Sequence, residues 1–215
     1  MTVAEWFYKK LFGHCFCRKG EGGVEQKFEK MLTENGKCNR INEKRGEVME
    51  LERSCCFTGH RPDRLPWGEE ENDLRCQAVK EQMFQAIEQL YEAGVRHFIS
   101  GMARGSDLYF AEAVLALREQ RSDITLECAR PCESQANRWP NRERERYEAI
   151  LNCCNYETLV QHRYDRGCMM RRNRYMVDHS SWVLAVYDGI PKGGTAQTLA
   201  YAMKQRKKIR MIPVE

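Results

Sequence analysis

No run of about 18 apolar residues occurs anywhere in the 215-residue chain, so no membrane-spanning helix is expected. No Cys-x-x-Cys pair occurs either, although the chain holds 11 cysteines. With no signal of secretion they read as free thiols in a reducing cytosol. His14, Cys15, Cys17 and Cys38 match no familiar zinc spacing, and no metal is expected. The opening stretch MTVAEWFYKKLFGHCFCRKG sets aromatics ahead of its lysines and lacks a long apolar core, so it does not read as a secretory leader. Charge of one sign is also lacking. There are 35 Lys and Arg against 31 Asp and Glu, a net charge of +4, evenly mixed. That balance admits an anionic ligand without implying nucleic acid. No basic stripe interleaved with aromatics is visible, so nucleic acid is not an expected partner. Nor is there an internal repeat.

What is present divides at about residue 53. Residues 1–53 are rich in Glu, Lys, Gly and Asn, with short helices conceivable at Val24–Leu32 and Glu43–Leu51 but no sustained apolar face. They read as a partly disordered extension. From Ser54 the pattern is regular. SCCFTG, VRHFISG, ITLECARP, ETLVQH, SWVLAVYDG and KIRMIPV read as strands. Between them lie helical stretches. In the first, Val79, Met83, Ile87 and Leu90 share a face and Gly94 ends the helix. In the second, Leu108, Ala111 and Val114 or Leu115 face inward. The alternation predicts an α/β, Rossmann-like domain over 54–215, a mostly parallel sheet with helices on both faces.

Ligands bind such sheets at the carboxyl ends of the strands. Three strand ends carry glycines there. The first, TGHRP, offers Gly59 for a tight turn with His60 and Arg61 as donors; a stiff surface loop is the plainer reading. The second, SGMARGSD, offers Gly101, Arg104 and Gly105 before a helix N-terminus. Its Asp107 either caps that helix or accepts from a ribose hydroxyl. The third, DGIPKGGT, places Gly193 and Gly194 before Thr195, an arrangement that suits a phosphate. Gly-Gly alone is a weak signal; three such strand ends in one sheet are stronger. Arg171, Arg172 and Arg174 share a helix before the strongest strand. Arg172 and Asn173 could face the cleft, or the arginines form a solvated basic face. Asp178 and His179 are expected to make local hydrogen bonds.

Together, CCFTGHRPDRL, HFISGMARGSDLYFAE, RWPNRERERYEAIL and CMMRRNRYMVDHSSWVLAVYDGIPKGGTAQTLAYA resemble the YpsA-like family of the SLOG superfamily, a Rossmann-like group related to the LOG phosphoribohydrolases and DprA. The resemblance runs from Ser54 to about Val214. It implies binding or sensing of a nucleotide-derived small molecule such as NAD or ADP-ribose. It puts Gly101, Gly105 and Asp107 on the ribose side, and Gly193, Gly194 and Thr195 on the phosphate side. One departure matters. The LOG enzymes resemble P-G-G-x-G-T-x-x-E, whose Glu is needed to split an N-glycosidic bond. Here KGGTAQT places Thr198 at that point and no carboxylate follows. A binding protein is therefore expected rather than a catalyst. An N-glycosidase-type hydrolase using Asp107 or Asp188, and DprA-like single-stranded DNA binding, are the alternatives. Related Rossmann-like proteins often self-associate, so a homo-oligomer is compatible with the resemblance, and the sequence itself does not give the oligomeric state.

Overall fold

The computed structural model describes residues 53–214. The expected N-terminal extension, its two helices and the His14–Cys38 set lie outside the described residues, apart from Arg53. Six strands alternate with five helices: β1 Ser54–Gly59, α1 Leu74–Glu92, β2 His97–Ser100, α2 Ser106–Arg118, β3 Thr125–Arg130, α3 Asn141–Cys153, β4 Tyr156–Leu159, α4 Cys168–Asp178, β5 Trp182–Tyr187, α5 Gly194–Lys204 and β6 Lys208–Pro213. A short 3₁₀ turn, Pro62–Arg64, follows β1.

All strand pairs are parallel, in the order β4-β3-β2-β1-β5-β6. The chain moves one way from β1 to β4, then crosses to the far side of β1 for β5 and β6. Right-handed connections put the first three helices on one face and the last two on the other. The core divides accordingly. Cys55, Phe57, Phe98, Leu126 and Leu184 join α1, α2 and α3 in one cluster. Cys56, Ile99, Ala129, Val183 and Ala185 join α4 and α5 in a second. Neighbouring residues of one strand thus face different cores. This is why these strands read as unbroken apolar runs rather than alternating ones.

α1 forms as its spacing predicts. Val79, Met83, Ile87 and Leu90 are buried. The Asp73 carboxylate accepts from the Arg75 N–H at the start. At the end Gly94 turns to φ 95°, and the Val95 N–H reaches back to the Leu90 carbonyl. α2 departs from its predicted single stripe. Leu108, Ala111 and Val114 do face inward, but most of the helix is buried, including Asp107 and Glu112. The reason is position: α2 lies against the sheet with α1 and α3 on its flanks, and a helix enclosed on several sides needs an apolar girth. The cysteines from Cys55 to Cys168 carry free thiols. Burial raises the pKa of Cys56 to about 12 and that of Cys76 to about 11. No helix among the described residues is long and apolar enough to cross a membrane.

One polar cluster sits inside the sheet. Glu127 of β3 is almost fully buried. Its carboxylate lies 2.9 Å from His97 Nε2 and accepts from Thr158 Oγ1 at 2.6 Å and from Tyr175 OH at 2.7 Å. Three strands and α4 are joined through it. Burial alone would raise the pKa of Glu127, but His97, Thr158 and Tyr175 override burial and hold it down at about 2. A carboxylate with a depressed folded-state pKa stabilises the fold above its unfolded value and loses that contribution as the pH falls toward the folded one. The drop from 4.5 to about 2 corresponds to roughly 3 kcal/mol. Glu127→Gln should therefore be destabilising at pH 7, with the gap to the parent narrowing between about pH 5 and pH 3 in urea denaturation. A gap independent of pH would contradict this account.

Candidate functional site

The strand order reverses direction between β1 and β5; in sheets of this class the loops on either side of such a switch point bound the ligand crevice. Two helix N-termini meet at that point. α2 starts after Gly105 at φ 81°, α5 after Gly193 at φ 92°, and neither has a side chain capping its first turn. Both are tied to the end of β1. Ser106 donates its N–H and its hydroxyl to the His60 carbonyl, and Thr195 donates its hydroxyl to the Gly59 carbonyl. The close approach needs a glycine in β1. A Cβ on Gly59 would lie 2.3 Å from Ser106 Oγ.

Gly59, His60 and Arg61 are thus placed beside both turns. His60 is buried, and its Nε2 accepts from the Asp188 N–H at 3.1 Å and lies 3.0 Å from the Asp188 carboxylate. Burial lowers the pKa of His60, against the pull of Asp188. Arg64, which sequence reasoning passed over, holds the other side of Asp188 at 2.7 Å and donates to the Lys192 carbonyl. It thereby fixes the β5–α5 loop, and a Cβ on Gly193 would meet its guanidinium at 2.6 Å. Nothing stands near a Cβ on Gly194, which borders open space.

The β2–α2 turn is wired differently. Met102 adopts φ 57°, an uncommon conformation for a residue with a side chain. Ser100 Oγ accepts from the Met102 N–H and donates to the Asp107 carbonyl. Gln135, which carries no signal in the sequence, donates to the carbonyls of Gly101 and Met102 from the β3–α3 loop. Asp107 does not cap its own helix. Its carboxylate accepts from the Ala103 N–H at 3.1 Å and from Arg172 Nη1 at 3.3 Å. Arg172 is buried, so of the two readings of α4 the solvated face does not hold for it, while Arg171 is exposed and pairs with Asp165. The Arg172 guanidinium fills the space a side chain on Gly101 would need: a Cβ there would sit 1.4 Å from Nη1. Its Nε has no hydrogen-bond partner among the described residues. Burial lowers the pKa of Arg172 and raises that of Asp107, each opposed by the other's charge. Arg61 lies near enough to act on both charges, and its own side chain is exposed.

Arg104 points elsewhere, pairing with Glu69 and Glu143. Asn173 donates to Thr198 Oγ1, which in turn donates to the Gly194 carbonyl, so α4 is fastened to the first turn of α5. His179 makes the local bond expected of it, to the Tyr175 carbonyl, whereas Asp178 reaches across to Tyr201 of α5. No group of three or more His, Cys, Asp or Glu suited to a metal occurs among the described residues.

Comparison with known proteins agrees with this architecture. The YpsA family model, described as the YspA SLOG family, matches residues 55–215. The chain belongs to this family. It is 26% identical over 154 residues to protein YpsA of Bacillus subtilis (strain 168), covering 71% of this chain and 85% of that one. It is 31% identical over 139 residues to the SPbeta prophage-derived protein YoqJ of the same organism, covering 59% of this chain and 81% of that one. Among solved structures, DNA processing protein A from Helicobacter pylori, described by its single-stranded DNA binding mode, has a similar fold. The TM-score is 0.53 at 18% identity, over 80% of this chain and 70% of that one. Family and fold together give the chain the general architecture of nucleotide-binding proteins.

The two glycines should respond oppositely to one methyl group. Gly101→Ala forces the buried guanidinium away from Asp107 and should cost several kcal/mol, as loss of one half of a buried pair does. Gly194→Ala meets open space and should change stability by less than about 1 kcal/mol. Chemical denaturation of both variants is the check; similar losses would show that Arg172 is not packed as described.

Proposed function

We propose that residues 54–215 form a domain that binds a nucleotide-type small molecule across the end of β1. The observation carrying this reading is the meeting of two uncapped, glycine-started helices at Gly59 and His60. Helix N-termini present free N–H groups and a positive dipole end, which suit an anion. In this reading the Gly193–Gly194–Thr195 turn takes phosphate, since Gly194 borders open space. Arg61 adds charge from the other wall, and Asp107 with the Gly101–Gly105 turn takes the ribose side. NAD and ADP-ribose are ligands of the fitting class.

We read the site as holding rather than cutting. Thr198 stands where the related hydrolases carry Glu, and its hydroxyl is committed to Gly194 and Asn173. Asp107 is committed to Ala103 and Arg172. Neither offers a free acid or base next to the α5 turn. A protein of similar fold binds single-stranded DNA, which weighs against excluding nucleic acid as a partner.

Thermal unfolding with millimolar NAD, ADP-ribose or AMP tests the reading. A ligand at 100 times its Kd adds about 2.7 kcal/mol, a rise in Tm of several degrees. Gly194→Glu should abolish that rise by filling the cradle with bulk and negative charge, while leaving the Tm without ligand nearly unchanged. If no nucleotide raises the parent's Tm, the proposal fails.

A further inference from the structure

The sequence shows no basic stripe interleaved with aromatics, yet the fold brings exposed arginines and a tyrosine from two loops to one end of the sheet. The loops after β3 and β4 lie side by side at the same end of the sheet as the crevice. The Glu133 N–H donates to the His162 carbonyl, and the two side chains pair at 2.9 Å. The first loop also reaches the crevice through Gln135, which holds Gly101 and Met102. Four arginines stand on this double loop and its continuation: Arg138, Arg142, Arg163 and Arg166. All four are exposed, and none makes a side-chain hydrogen bond or ion pair with the described residues. The loops' own acids are already engaged, Glu133 by His162 and Asp165 by Arg171. No acid pairs with any of these four arginines among the described residues, although Glu145 stands three residues after Arg142 on α3. Arg142 also stands in the first turn of α3, where the helix dipole disfavours a cation. Between Arg163 and Arg166 stands Tyr164, 63% exposed. Neither its ring nor its hydroxyl has a partner among the described residues.

We propose that this rim binds single-stranded nucleic acid, with the arginines following the phosphates and Tyr164 stacking on a base. The chemistry selects this occupant. Unpaired cations on two adjoining loops fit a polyanion, and an unpartnered aromatic among them fits an unpaired base, whose face is free to stack. A duplex buries its base faces and offers Tyr164 nothing. The rim lies outside the crevice and does not depend on what the crevice holds.

Fluorescence anisotropy with a labelled oligothymidylate, the full chain and a series of KCl concentrations tests it. Binding should weaken with salt, since released counterions drive it. Arg163→Ala combined with Arg166→Ala should lower the slope of log K against log salt by about 1.4, at roughly 0.7 per phosphate on a single strand. Tyr164→Ala should weaken binding about ten-fold with the slope unchanged. A strand of abasic sites should bind the parent about as weakly as the oligothymidylate binds that variant. No binding at low salt overturns the proposal. So does binding that neither loop variant changes, because the strand then sits elsewhere. Equal affinity for abasic and base-bearing strands also overturns it, since the rim is then only an anion surface. Both variants should keep any Tm rise given by nucleotides, so failure here is distinguishable from failure of the crevice reading.

Discussion

The ion pair between Asp107 and Arg172 is the constraint on which the carboxyl end of the sheet depends. The two side chains are 7% and 5% exposed, and they come from helices on opposite faces of the sheet. They meet only by passing the carboxyl end of β2, which is possible because residue 101 has no side chain. Taking both charges out of water costs several kcal/mol each, and a single 3.3 Å contact recovers only part of it. The shifts of both groups toward neutrality express that tension. Such a pair survives when the surrounding structure fixes it. Ser100, Gln135 and the Ala103 N–H supply this by pinning the backbone on either side. The positive φ of Met102 is part of the same arrangement. The turn is rigid because a buried charge requires it to be.

Most of the architecture was legible in the sequence for reasons now visible. Each strand of the inner sheet faces two apolar cores, so WVLAVY and HFIS could only be buried parallel strands. α1 faces one core and water, and so showed its stripe. α2, enclosed on several sides, blurred the stripe and hid Asp107 and Glu112 among apolar neighbours. The end of α1 was readable because a single residue, Gly94, terminates it. The order of the strands was not readable. It follows from which face each crossover takes, and short-range pattern does not carry that information.

The candidate site was legible in position and only partly in role. Glycines after β1, β2 and β5 marked where the chain packs closely at the carboxyl ends of the strands, because close backbone approach leaves a trace in residue type. Partnerships between distant charges leave none. Nothing in SGMARGSD says that Arg104 turns to Glu69 and Glu143, 35 residues before it and 39 after. Nothing near Arg64 says that it reaches Asp188 and Lys192 beyond β5. Glu127 offered a weak clue, a lone carboxylate inside an apolar strand. Only the parallel register, which sets His97 and Thr158 beside it on neighbouring strands, shows what it is for. The arginine rim is the same case at the surface. Its members lie about 25 residues apart, and two parallel strands bring their loops together.

The two glycine N-caps bear on why the crevice is open. Ser, Thr, Asp or Asn at those positions would satisfy a first-turn N–H, and glycine forgoes that at a cost of only a few tenths of a kcal/mol. The nearest hydroxyls, of Ser106 and Thr195, turn instead to the carbonyls of His60 and Gly59. They anchor the two helices to β1 rather than capping their first turns. The hydroxyl of Thr198 faces inward in the same way, to Gly194 and Asn173. Hydroxyl chemistry at the end of β1 is therefore spent on positioning backbone, and the groups left facing outward are amides and cations. A surface of that kind suits an anion, and the one carboxylate close by, that of Asp188, is held between His60 and Arg64.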